Sequence, residues 1–209
     1  MKRVFSKKVL AASAAVALSL TGASVVLGSG VAGATPNGTL TLGAGSLVLV
    51  APATLTWSGT LSGLNQTIVD TVPADQTYSV NDNTGSGAGW HVTASATTFT
   101  TGTHSLADTG TFVNTGSVTS IAGTTAPAVA CATTCTLPTN DTTFPVAITT
   151  AGSSPTAVPI YDSAVNTGLG NINIGGGSTN PVGWWVNVPA NTYAGTYTST
   201  VTLAVVSAP

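Results

Sequence analysis

The stretch Tyr197-Thr-Ser-Thr-Val-Thr-Leu-Ala-Val-Val206 decides the fold class. Tyr197, Ser199, Val201, Leu203 and Val205 fall on one side of an extended chain, and Thr198, Thr200, Thr202 and Ala204 fall on the other. That two-residue period is the mark of a half-buried strand. Its threonine-covered face is expected to meet solvent or a ligand.

Working outward, the same character recurs through the rest of the chain. Candidate strands are Thr39 to Leu42, Ser46 to Val50, Thr54 to Trp57, Thr77 to Val80, Trp90 to Ala96, Val118 to Ile121, Val146 to Thr149, Asn171 to Ile174 and Trp184 to Val188. Turn-forming Gly, Ser, Thr, Asn and Pro cluster at Asn81 to Gly89, Ala122 to Asn140 and Gly175 to Gly183. No segment places apolar residues at helical spacing over three turns. The expectation is an all-β protein, an antiparallel β-sandwich of Greek-key type. Ranks of threonine also suggest an ice-binding solenoid, but no constant repeat period is present.

Charge is distributed in a way that divides the chain. Lys2, Arg3, Lys7 and Lys8 are its only basic residues, and Val9 to Leu27 follows as an apolar stretch. Ala32-Gly33-Ala34 then supplies small residues at the spacing a signal peptidase reads. Residues 1–34 are therefore expected to be a signal peptide, leaving residues 35–209 as one domain. An uncleaved anchor is the rival, and the small residues after the apolar stretch argue against it.

Beyond the leader the ionic residues are Asp70, Asp75, Asp82, Asp108, Asp141 and Asp162, a formal charge of −6. Without a cation to neutralise phosphates, nucleic-acid binding is excluded. Anionic polymers also cannot be gripped by ordinary ion pairing. A ligand would have to be held by hydrogen bonds and aromatic stacking. The Asp residues sit singly, often beside Asn, Thr or Gly, as turn residues do.

Cys131 and Cys135 lie in Ala-Cys-Ala-Thr-Thr-Cys-Thr. Export makes a disulfide between them the natural pairing, and the spacing does not suit a redox pair or a metal site. No metal and no cofactor is expected. His91 and His104 are read as solvent-facing rather than as ligands.

Two aromatic segments carry the remaining information. Thr84-Gly-Ser-Gly-Ala-Gly-Trp90-His-Val92 puts a Trp at the mouth of a strand after a Gly-rich turn, and Val188-Pro-Ala-Asn-Thr-Tyr-Ala-Gly-Thr-Tyr197 leads into the terminal strand. Together they resemble the WxL domain family of Gram-positive surface proteins, with Val92 in place of the first motif's Leu and Leu203 in place of the distal Trp. Tyr197, Thr202, Val205 and Pro209 keep the outline of the distal motif. The resemblance implies non-covalent association with peptidoglycan, partnership with other exported surface proteins, and no catalysis.

Candidate ligand contacts are Trp90, Val92, Trp184 and Trp185. Trp90 is either a stacking platform for a sugar ring or, with Val92, part of the core. Trp184 and Trp185 are adjacent on one strand, so their rings are expected on opposite faces with at most one fully buried. An enzyme is not expected, since beyond the leader no Ser-His-Asp order, no Glu, no Lys and no paired acid motif is visible. Localisation at the cell wall, with only transient membrane contact through the leader, follows from these readings. The competing class is an assembly protein whose strand edges pair with other subunits, since a region without Lys beyond the leader lacks the commonest edge guard.

Overall fold

The computed structural model describes residues 37–109, 112–176 and 179–207. The signal peptide expected at 1–34 lies outside them. The chain divides into two units, Met1–Thr41 and Leu42–Pro209. In the first, residues 37–41 are exposed and without regular structure.

The second unit is a succession of short strands. They are β1 (Leu47–Val50), β2 (Gln66–Val69), β3 (Tyr78–Asp82), β4 (Trp90–Ala96), β5 (Thr100–Thr101), β6 (His104–Ser105) and β7 (Phe112–Thr115), followed by β8 (Val129–Cys131), β9 (Val146–Ile148), β10 (Val158–Ser163), β11 (Gly170–Ile174), β12 (Gly183–Val188) and β13 (Val201–Ser207). A 3-10 turn, Pro73–Asp75, precedes β3.

Three larger antiparallel sheets result, in the orders β1-β3-β11-β8, β10-β4-β13 and β2-β12-β7-β9, with β5-β6 as a separate hairpin. Strand holds 36% of the described residues and helix 2%, so the expected all-β, sandwich-like fold is the observed one.

The inner faces of the three sheets meet in one core. Tyr78, Val80, Ile172 and Ile174 come from the first sheet, Trp90, Val92, Ala94 and Ile160 from the second, and Ile148, Trp184 and Val186 from the third. Alternation explains which residues enter: in β3, Tyr78, Val80 and Asp82 are buried while Ser79 and Asn81 are half-buried. Each fully buried Val, Ile or Leu contributes roughly 1.5–3 kcal/mol, so the strands are held chiefly by their common core.

β13 carries Val201, Leu203 and Val205 half-buried against that core, with Thr202, Ala204 and Val206 exposed. The pattern read from the sequence is therefore realised, although regular pairing begins at Val201 and Thr198 makes only an isolated bridge to Thr100.

Three expected strands are not strands. Residues 39–42 and 54–57 have no regular structure, and 118–121 forms part of a turn in which Gly123 N–H donates to the Ser120 carbonyl at 3.1 Å. Conversely, β10 forms despite Pro159, because the register shifts between Pro159 and Tyr161 and a bulge absorbs the missing donor.

Candidate functional site

The residues singled out as ligand contacts are interior. Trp90, Val92 and Trp184 are 0% exposed and Trp185 is 7% exposed. This corrects the expectation that they touch a ligand. Their polar atoms are committed as well: Trp90 Nε1 donates to the Gly168 carbonyl at 2.9 Å, Trp184 Nε1 to the Asp75 carbonyl at 2.8 Å, and Trp185 Nε1 to the Ser117 carbonyl at 2.9 Å.

Strand alternation does put Trp184 and Trp185 on opposite faces, but both faces of β12 are covered. Trp184 joins the core. Trp185 is roofed by the turn at Ser117, which no local sequence pattern announces. A Cβ on Gly183 would run into the Ser117 carbonyl oxygen, so the bare glycine is what allows this turn to lie on β12.

Cys131 and Cys135 form the expected disulfide at the end of β8, with Cα atoms 5.5 Å apart. Among the described residues no group of three or more His, Cys, Asp or Glu converges on one point as a metal site would require. His91 is half-buried in β4, opposite Asp162 and Val206.

The aspartates serve the fold in two ways. Asp82 accepts from Thr84 N–H at 3.0 Å and Oγ1 at 2.7 Å, the turn role read from the sequence. Asp162 reaches across the chain to the amides of Asp141 and Thr142 at 2.8 and 2.9 Å, and Asp108 accepts from the hydroxyls of Thr98 and Thr150 at 2.6 and 2.8 Å.

Asp70 and Asp75, read from the sequence as isolated turn residues, instead converge. Asp70 is 0% exposed and accepts from the amides of Thr56 at 2.7 Å and Val72 at 2.8 Å. Asp75 is pushed above the usual carboxylate range by burial, by the charge of Asp70 and by a hydrogen bond with its side chain, with the Thr56 amide acting the other way. Both carboxyls are enclosed by the fold.

The open aromatic surface lies elsewhere, where the β5-β6 hairpin meets the segment after β12. Reciprocal backbone hydrogen bonds between Thr100 and Thr198, at 3.0 and 2.9 Å, tie the two together. Leu106, buried just after β6, donates its N–H to Phe99, whose ring meets Trp57 edge-on with centroids 5.7 Å apart. On this base the His104 imidazole lies flat on the Tyr193 ring, with centroids 3.8 Å apart and planes within 11°. Thr192 N–H donates to the Pro189 carbonyl, and Tyr197 Oη donates to the Tyr193 carbonyl, both at 3.1 Å, which shapes the turn that presents Tyr193.

Tyr193 remains 63% exposed. It stands beside a cleft of about 420 Å³ bordered by Thr103, Ser105, Asn191 and Tyr197. No aspartate borders it, so a ligand here meets aromatic faces, hydroxyls and an amide. The sequence contained a signal for this site in Asn-Thr-Tyr-Ala-Gly-Thr-Tyr, a Tyr in a Gly- and Asn-containing turn, but only folding brings His104 against it.

Compared with known proteins, the chain matches no family model, no curated protein and no solved structure.

Proposed function

We propose that this chain is an exported, non-catalytic surface protein that attaches without a covalent bond to peptidoglycan, and that the His104–Tyr193 cleft makes the contact. The observation that carries the reading is the exposed Tyr193 ring, backed by His104, at the mouth of a neutral, hydroxyl-lined cleft. Flat aromatic faces bind the apolar faces of sugar rings, and neighbouring hydroxyls and amides satisfy the sugar hydroxyls. The absence of Lys, Arg and Glu from residues 9–209 leaves such neutral contacts as the available chemistry. The WxL-type resemblance points to the same polymer, with the contact moved from the tryptophans to the tyrosine turn.

The test is co-sedimentation of the purified protein with peptidoglycan sacculi at high salt. The parent protein is expected in the pellet and Tyr193→Ala in the supernatant, with the folded state of the variant checked by tryptophan fluorescence. A folded Tyr193→Ala protein that still pellets with the wall removes the cleft from the reading. Failure of the parent protein to pellet removes the reading itself.

One observation favours a second reading, assembly through strand edges. β13 is a seven-residue edge strand paired only with β4, it bears no charge, and Val206 is 44% exposed. Long apolar edges without a guard template further pairing. Growth in particle size with protein concentration, in the absence of wall, is the outcome that would favour it.

A further inference from the structure

We infer that the Tyr193 cleft is one half of an extended track, and that the track takes a run of an uncharged, linear amino-sugar polysaccharide rather than a single sugar. The inference rests on the cleft being the wall contact and adds both a second subsite and a ligand class.

Pro189 is the hinge of the argument. It borders the Tyr193 cleft and also borders a second depression of about 580 Å³, lined by Asn65, Gln66, Thr67, Asn187 and Val188. The paired strands β2 and β12 build that second floor, since Val188 lies opposite Gln66 and Asn187 opposite Thr67. Asn65 Oδ1 accepts from Ala190 N–H at 2.9 Å, which fixes the ridge between the two depressions to the start of β2. A linear polymer lying over Pro189 would therefore touch both.

The chemistry of the two halves is complementary. The first offers a stacked aromatic pair, and the second offers the exposed side chains of Asn65 and Thr67 beside the apolar surface of Pro189, while Gln66 is spent within the fold, its Oε1 accepting from Ser62 and its Nε2 donating to Thr60. The Asn65 amide nitrogen donates and the Thr67 hydroxyl donates or accepts, which matches the oxygen and N–H of an acetamido group, and a small apolar surface matches its methyl. No Lys, Arg, Asp or Glu borders either half, and His104 and two tyrosine phenols are the only titratable groups there. A peptide carboxylate would find no fixed counter-charge in this track and would be repelled by the aspartates of the body. The glycan strand of the wall is favoured over its peptides on that ground.

Two linked subsites make affinity depend on ligand length, because the second contact becomes intramolecular once the first has formed. β-1,4-linked N-acetylglucosamine oligomers, titrated calorimetrically from dimer to hexamer, are the probe. Affinity is expected to rise by about tenfold or more along the series. Tyr193→Ala should weaken every length. Thr67→Arg, at an exposed position of β2, should fill the second depression and abolish the gain with length.

Sacculus binding by the parent protein without binding of the oligomers, or with equal affinity for all lengths, would overturn the track while the wall contact stood. Length-dependent oligomer binding without sacculus binding would support the track and sink the wall reading. Binding to neither would overturn both.

Discussion

The carboxyl of Asp75 lies within hydrogen-bonding reach of that of Asp70, and both are buried, at 5% and 0% exposure. They sit at the two ends of the turn between β2 and β3, where the Trp184 carbonyl also receives Asp70 N–H at 2.9 Å and Trp57 Nε1 at 3.1 Å. Burial of Asp75 and the charge of Asp70 beside it disfavour the ionised form of Asp75 and hold its pKa above the usual carboxylate range.

The first prediction follows from that shift. Asp75 has its folded pKa raised from 3.8, so the folded state holds its proton more tightly than the unfolded chain does. The stability this contributes is fully present below about pH 4 and is lost as pH rises through the elevated folded value. Asp75→Asn, which keeps a donor toward Asp70, should therefore raise the denaturation midpoint at pH 7 and have little effect near pH 4. Urea unfolding at the two pH values checks this, and an equal effect at both would contradict it.

Tyr78 gives a second test. Its ring is core, 2% exposed, but its hydroxyl is buried without a hydrogen-bond partner, and burial pushes its pKa well above the usual phenol value. Removing an unsatisfied buried hydroxyl while keeping the ring relieves a desolvation cost of about 1–3 kcal/mol. Tyr78→Phe should be as stable as the parent or more so. A clear loss of thermal stability would mean that the hydroxyl is satisfied in solution.

The turn over Trp185 is testable through Gly183. A methyl there meets the Ser117 carbonyl, the same oxygen that accepts the Trp185 indole N–H. Gly183→Ala should cost about 1–3 kcal/mol, the usual penalty for overpacking, and lift the turn. Acrylamide quenching of tryptophan fluorescence should increase, and unchanged quenching with unchanged stability would show that the turn yields freely.

For the disulfide, the closed loop between Cys131 and Cys135 is short. Loop entropy then assigns it about 2 kcal/mol. Replacing both cysteines with Ser should lower stability by no more than that and leave the β-sheet circular dichroism intact, because β8 is an edge strand held by β11. Complete loss of folding would show the staple to be essential.

Legibility differed between fold and site. β4 and β12 could be read at nearly their observed bounds, because alternating or continuous runs of Val, Trp and Ala carry their own burial signal. β2, β5, β6, β7, β8 and β10 were missed. β8 lies inside a stretch rich in turn residues, and β10 contains a proline that only a bulge accommodates. Their strand state comes from the partners they find, with β8 docking on β11 and β7 on β12. The site was misread for a related reason: tryptophan in a Gly-rich setting looks the same in sequence whether its ring stacks on a ligand or on Tyr161, and here Trp90 and Tyr161 stack with centroids 6.2 Å apart.

By itself the sequence determined the all-β class, the half-buried character of β13, the pairing of the two cysteines and the dearth of charge that confines any ligand contact to neutral chemistry. Those properties depend on local periodicity, short spacing or composition, and none needs a distant partner. The tertiary structure alone decided that the tryptophans are buried, that Asp70 and Asp75 share a buried pocket, and that His104 lies on Tyr193 beside an open cleft. Burial and stacking are relations between residues far apart in the chain, set by which faces the three sheets turn toward one another, and one-dimensional patterns carry no record of that choice.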